Sequence, residues 1–330
     1  MHEHVAQTLY YFGVHLLYAS IVWGAAWLLT SILRGSATAK YWIWVATSLN
    51  FILPVGAVLD KTWSRHLLWA TPLGAIGDAG ASIAENTNLA FTLGTIWLLG
   101  ATLMLTRLCL RIQAEHRRAL AEVLAAPDQS AVTPHWDSLA GIPVQFAPTR
   151  QTPAVDGVLR PHICLPRGIE RLLNTHELNA VLIHELAHAK RRDNLIRLVH
   201  ELGLSVLWFH PLVWITGSRL SLYRELSCDE SVMRNARGED LVSALAKLAN
   251  PEEPLLLQAS ASSFLRHRLA RLTAPAQRPS FAANTAMTVV FGMALLAGVF
   301  GTVAHTACCF VHRVQVHRGQ IQVPHACPRT

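Results

Sequence analysis

The sequence predicts a mainly α-helical membrane protein: four transmembrane helices, with a polar α+β domain inserted before the last of them. Three observations carry this. Hydrophobic residues make up 52% of the 330 and charged residues only 15%, and mean hydropathy is positive, a mixture too apolar for a purely soluble chain. The apolar residues gather in four runs long enough to cross a bilayer. Lys and Arg cluster at alternating ends of those runs, as they do where loops face the cytoplasm.

The first run, residues 10–33, has no formal charge, and its about 24 residues, at ~1.5 Å rise each, exceed the ~30 Å hydrocarbon core. Trp23 and Trp27 continue it where a signal peptide would show a small-residue cleavage site, so it reads as an uncleaved span. Residues 41–59 carry Asn50 and Pro54, both tolerated in a span that neighbouring helices cover. Residues 89–110 form a third span ending among Arg107 and Arg111, and 282–304, rich in Gly and Ala, a fourth. Arg34 and Lys40, then Arg111, Arg117 and Arg118, then Arg266, Arg268, Arg271 and Arg278 mark the inner faces. The predicted organisation is therefore a membrane region at 1–110, a cytoplasmic domain at 111–281, the fourth span, and a short outward tail at 305–330. The net charge of +7 is accounted for by anchoring to anionic lipid at the inner face, and no organised nucleic-acid surface is expected.

Within 111–281, residues 112–139 read as a polar helix. Ile142 to Pro166 holds short apolar pieces, prolines and the hairpin dipeptide Asp156-Gly157, which predict a small antiparallel sheet. Asn174 followed by Glu177 reads as a capping box opening a helix to about Arg192. Leu195 to Arg219 is apolar and interrupted at His210-Pro211. Arg197, His200 and Glu201 load its first half with groups costly in lipid, so it reads as a buried or interfacial helix. Residues 220–233, 240–249 and 263–272 follow as further helices by apolar periodicity.

The helix opened by that capping box carries chemistry. In VLIHELAHAKRRD, residues 181–193, His184 and His188 stand four apart, on one helical face, and Glu185 lies beside them. Two imidazoles so placed can hold one ion, and zinc (Zn2+) suits them; a water on that ion falls to a pKa of about 7, and Glu185 is the candidate general base. The spacing excludes the metzincin arrangement, which needs Gly and His where Arg191 and Asn194 stand. Downstream, RELSCDE at 224–230 offers Glu225 as a third ligand and Asp229 to orient a ligand histidine from behind. A solvated acidic face paired with Arg219 and Arg224 is the plainer reading of those two acids.

HELAH, FHPLVWI at 209–215, RELSCDE, and TPAVDGVLRPHICLP at 152–166 together resemble the BlaR/MecR-type membrane zinc peptidases of the beta-lactam-sensor family. The resemblance covers about residues 5–304. It implies a cytoplasmic gluzincin-like domain of the zincin class, with zinc on His184, His188 and Glu225, Glu185 as base and Asp229 behind a ligand. It also implies protein or peptide substrates, through self-cleavage or inactivation of a cytoplasmic winged-helix repressor. Family sensors carry a penicillin-binding domain with an SxxK serine after the fourth span; the 26-odd residues here hold no such motif, so direct beta-lactam sensing is not expected. Two other readings compete: a housekeeping membrane protease of the CAAX-protease or heat-shock type, and a non-catalytic signalling scaffold.

Secondary candidates are less specific. Tyr223, His200 and His210 are possible oxyanion donors, and residues 144–165 a sheet edge for substrate. Cys228 reads as a core cysteine. The tail has Cys308, Cys309 and Cys327 among several histidines, which suits a disulfide or a soft metal. Residues 255–280 read as an exposed connection suited to self-cleavage.

Overall fold

The computed structural model describes residues 2–32, 36–53, 83, 86–124, 138–147, 150–248, 268–273, 289 and 291–292. Most of the fourth span at 282–304, the tail, and most of the 255–280 connection expected above lie outside them. The chain divides into two compact units, one of residues 1–25, 50–93 and 289–330, the other of 26–49 and 94–288.

The described chain is mostly helical. Helices α1 (His2–Ile32), α2 (Ala37–Ile52) and α3 (Thr87–Leu124) come first. Two stretches, in α1 at His15–Ile32 and in α3 at Asn88–Arg118, are long and apolar enough to cross a membrane. In α3 only 6% of that stretch is buried, and Leu98, Leu99 and Leu103 point outward, as a lipid-facing helix requires. The third span and the polar helix expected after it are one continuous helix of 38 residues. The second predicted span is described only as far as residue 53; α2 is 16 residues long and ends ahead of Pro54, whose ring disfavours helix in the residue before it.

After α3 come β1 (Ser138–Leu139), β2 (Ile142–Ala147), β3 (Ala154–Asp156) and β4 (His162–Pro166). Ser138 and Leu139, expected at the end of a helix, instead pair with β2 through a turn at Gly141, where φ is +79°. The sheet order is β1-β2-β4-β3. The β3–β4 pair is the expected antiparallel hairpin, with Gly157 at φ +83° in its turn. Between β2 and β4 the pairing is parallel, so the sheet is mixed where an antiparallel one was expected: β3 takes the outer edge of β4 and leaves the inner edge to β2.

Then come the short α4 (Ile169–Leu172), α5 (Thr175–Arg191), α6 (Asp193–Val206), α7 (Pro211–Asn235) and α8 (Gly238–Leu248). The capping box is present: the Asn174 side chain accepts from the His176 and Glu177 amides, and Glu177 Oε2 accepts from the Asn174 amide at 2.8 Å. Pro211 opens α7, where its missing N–H costs nothing, and the expected break at His210-Pro211 separates α6 from α7. The run from 211 to 235 is one helix.

Ile163 and Leu165 of β4 are fully buried against Leu178, Val181 and Leu182 of α5, with Leu241 and Ala244 of α8 closing the other side. Each large aliphatic removed from water there contributes about 1.5–3 kcal/mol. This core fixes α5 in rotation, and with it the direction in which His184 and His188 project.

Candidate metal centre

Helices α5 and α7 bring His184, His188 and Glu225 to one point. His184 Nε2 and His188 Nε2 are 3.3 Å apart. Glu225 Oε2 lies 3.5 Å from the first and 3.7 Å from the second. A tetrahedral zinc with donors at about 2.0–2.2 Å has donor–donor edges of about 3.3–3.6 Å, so the three atoms have the spacing of three ligands around one ion. All three side chains are largely withdrawn from solvent. The donor set therefore fits zinc.

Each imidazole is backed by a carboxylate on its other nitrogen. His188 Nδ1 hydrogen-bonds Asp193 Oδ2 at 2.7 Å. His184 Nδ1 sits 3.2 Å from Asp229 Oδ1, close but not aligned as a hydrogen bond. Asp193 reaches His188 because Arg192 takes the left-handed conformation, φ 55° and ψ 47°. That single residue ends α5 and starts α6, turning the chain so sharply that the next side chain points back at the ligand helix.

The carboxylates are held in turn. Asp229, fully buried, accepts two hydrogen bonds from Arg268, at 2.8 and 2.7 Å. Asp193 accepts from Arg191 at 2.6 Å and from the Tyr41 hydroxyl at 2.8 Å. Burial would raise both carboxyls, but Arg268 and His184 hold Asp229, and His188 and Arg191 hold Asp193, below the usual range. Burial likewise would lower His184, yet Asp229 and Glu225 outweigh it and push the imidazole up to about 9. Around the two imidazoles the carboxylates alternate with guanidiniums: Arg191 pairs with Asp193, Arg268 with Asp229, and Arg224 and Arg268 lie 3.0 and 3.6 Å from Glu225.

Glu185 follows His184 on α5, is 9% exposed, and has no hydrogen-bond or ion-pair partner among the described residues. Cys228 is fully buried, as expected of a core cysteine; its sulfur also belongs to a group with His184 and His188 whose donor atoms lie within 4.8 Å of one another, and it accepts from Arg191 Nη2 at 2.9 Å. Glu225 Oε2 and the Cys228 sulfur both lie close to the two imidazoles, and carboxylate oxygen and thiolate sulfur are both zinc donors. Of the three oxyanion candidates, His200 is engaged elsewhere, 2.8 Å from Ser48 Oγ, and Tyr223 faces Lys40.

Sequence reasoning missed Asp193, Arg191, Tyr41 and Arg268. Arg268 had been taken only as an inner-face charge; the structure buries it at 8% exposure against Asp229. Its signal was faint, since a lone Arg some 40 residues from its partner has no local pattern. Asp193, five residues after His188, was the more legible of the four.

A family profile described as BlaR1 peptidase M56 matches residues 11–272. The regulatory protein BlaR1 of Bacillus licheniformis is 40% identical over 88 residues, 27% of this chain and 14% of that one. The methicillin resistance mecR1 protein of Staphylococcus aureus strain Mu50 is 22% identical over 159 residues, 46% of this chain and 26% of that one. The chain thus spans about a quarter or less of the length of the curated relatives it matches. With the profile running from the first predicted span through the Arg268 clamp, the chain belongs to the BlaR1 peptidase M56 family.

Proposed function

We propose that this protein is a membrane-bound zinc endopeptidase acting in signal transduction by regulated proteolysis. The observation that carries the reading is the triangle of His184, His188 and Glu225, with a carboxylate behind each imidazole. Those three side chains would hold the zinc, which supplies Lewis acidity and lowers the pKa of water at the site. Asp193 and Asp229 fix the ring orientation and the tautomer that leaves each Nε2 free to donate electrons.

Glu185, unpaired and adjacent, takes the proton from the attacking water and passes it to the leaving amine. Substrate lies extended along the outer edge of β3, which among the described strands pairs with β4 alone. Main-chain hydrogen bonds there accept many sequences. Asn194 holds that edge beside α6, donating to the carbonyls of Val155 and Gly157 at 2.9 and 3.2 Å.

The family resemblance supports a multi-pass topology with residues 111–281 inside the cell and spans at 10–33, 41–59, 89–110 and 282–304. It also supports a gluzincin-like fold, and as substrate the protein itself or a winged-helix repressor. The test is zinc content and self-cleavage of detergent-purified full-length protein, wild type against Glu185→Gln. Zinc in both with fragments only from wild type is expected; zinc in neither would overturn the reading.

A further inference from the structure

The α6–α7 turn has features that a water-soluble hairpin would not need. Residues 202–218 carry no formal charge, and Glu201 and Arg219 flank them. Leu202, Val206, Phe209, Trp214 and Ile215 are all 40–45% exposed, a concentration of exposed apolar side chains in one turn of the kind that marks a contact site.

The turn is also in register with α3. Arg111, next after the expected span at 89–110, pairs with Glu201 at 3.1 Å. Further along α3, the Trp208 indole lies on Gly100 so closely that a Cβ there would stand 2.2 Å from Trp208 Cε2. Gly100 is eleven residues from Arg111, about 16 Å along the helix at ~1.5 Å per residue, roughly half of a ~30 Å hydrocarbon core.

Three backbone carbonyls of the turn are met by donors of the protein itself. Between α6 and α7 the backbone carbonyls lose their helical partners, and in water solvent would meet them. Here Trp97 Nε1 donates to Val206 O at 3.0 Å, Trp214 Nε1 to Trp208 O at 2.8 Å, and the His210 amide to Leu207 O at 2.9 Å. Ser205 and Thr216 hydroxyls donate back to carbonyls four residues earlier. Satisfying broken backbone from within is the condition for irregular chain at membrane depth.

We propose that residues 202–215 enter the bilayer from the inner face beside α3 as a half-depth re-entrant hairpin, with the five exposed apolar side chains against lipid acyl chains. The proposal rests on α3 being a true span. The hairpin arms are of near-equal length: Asp193 lies nine residues before Leu202 and Glu225 ten after Ile215, about 14–15 Å each at ~1.5 Å per residue. The anchored hairpin therefore holds the ligand-backing Asp193 and the ligand Glu225 at one level, just beneath the membrane surface, and restricts substrates to chain that reaches that layer.

The test uses full-length protein with p-benzoylphenylalanine replacing Val206, Phe209 or Ile215, reconstituted into vesicles of radiolabelled phosphatidylethanolamine and phosphatidylglycerol. Leu99, exposed on α3, is the span control and Leu159, exposed on the β3–β4 turn, the aqueous control. Irradiation is expected to label the three hairpin positions and Leu99 with lipid and to leave Leu159 at background, since only chain within the hydrocarbon core meets acyl chains. Lipid at Leu99 but none at the hairpin positions overturns the hairpin alone, as does crosslinking of those positions to a second protein chain. No lipid at Leu99 overturns the span reading beneath it.

Discussion

Replacing each ligand-backing carboxylate by its amide separates two roles that the geometry assigns differently. Asp193→Asn weakens the acceptor for His188 Nδ1, now met at 2.7 Å, and an orienting carboxylate of this kind is worth about 10–100-fold in metal affinity, about 1.4–2.7 kcal/mol. The fold should survive. Arg191, which also binds Asp193, keeps other acceptors in Arg224 O at 3.2 Å, Cys228 Sγ at 2.9 Å and Ser227 Oγ. Asp229→Asn has a different consequence, because Arg268 gives two of its hydrogen bonds to Asp229 and is itself buried. Arg268 keeps a looser ion pair with Glu225 at 3.6 Å, so losing its main partner costs up to about 3–5 kcal/mol in addition to the metal effect. The double variant Asp229→Asn with Arg268→Met should recover most of the stability and none of the affinity. Zinc competition against a chromophoric chelator and thermal melting of the zinc-free protein, both on detergent-solubilised full-length chain, read the two quantities separately. Wild-type zinc affinity in Asp193→Asn would refute the idea that the carboxylate orients the ligand, and an Asp229→Asn protein as stable as wild type would refute the buried-charge argument.

Two further predictions concern the scaffold. The Glu177 carboxyl is held down to about 2 by Lys247, Ser243 and the Asn174 amide; with its folded pKa depressed, the stabilisation is full above its ordinary value of 4.5 and is lost as pH falls from there to about 2. Lys247→Met should flatten the acid limb of a melting-temperature profile across that window, and an unchanged profile would count against the latch between α5 and α8. At Arg192, Gly should leave stability within about 1 kcal/mol while Val, which resists φ near +55°, costs at least about 1–2 kcal/mol; equal melting temperatures would show that the left-handed turn is not maintained.

The sequence made local features legible and left distant ones hidden. The Asn174–Glu177 cap, the His184–His188 face and the break at Pro211 each depend on residues within four positions of one another, where spacing alone decides geometry. Glu225 and Asp229 were found because they share a motif with a known family; nothing in their spacing alone separates a ligand from a solvated acid. The parallel β2–β4 pairing was not legible, since alternation within a strand does not say which neighbour it takes. The Arg268 clamp on Asp229 and the Tyr41 bond to Asp193 join residues far apart in the chain, and a single sequence carries no signal for such pairs.

Those long-range bonds make α2 part of the centre. On one face of α2, Thr38 donates through its amide and hydroxyl to Glu230 at 3.0 and 2.9 Å, Tyr41 donates to Asp193, and Ser48 contacts His200. Glu230 thus caps the first turn of α2 from the same helix that supplies Glu225, a favourable place for a carboxylate. Lys40 ties the same turn to the end of α1 through Thr30 O at 2.6 Å. Hydrogen bonds weaken steeply once donor and acceptor separate by a few tenths of an ångström beyond about 3.2 Å. A small shift of α2 along its axis therefore cannot leave the Tyr41–Asp193–His188 chain intact, whereas a shift of the remote β1 strand can. Of the bonds that couple α2 to the site, the Tyr41 hydroxyl is the one that reaches the carboxylate behind His188, and Tyr41→Phe, which removes it while keeping the buried ring over which Arg191 lies, is the smallest change that cuts that link alone.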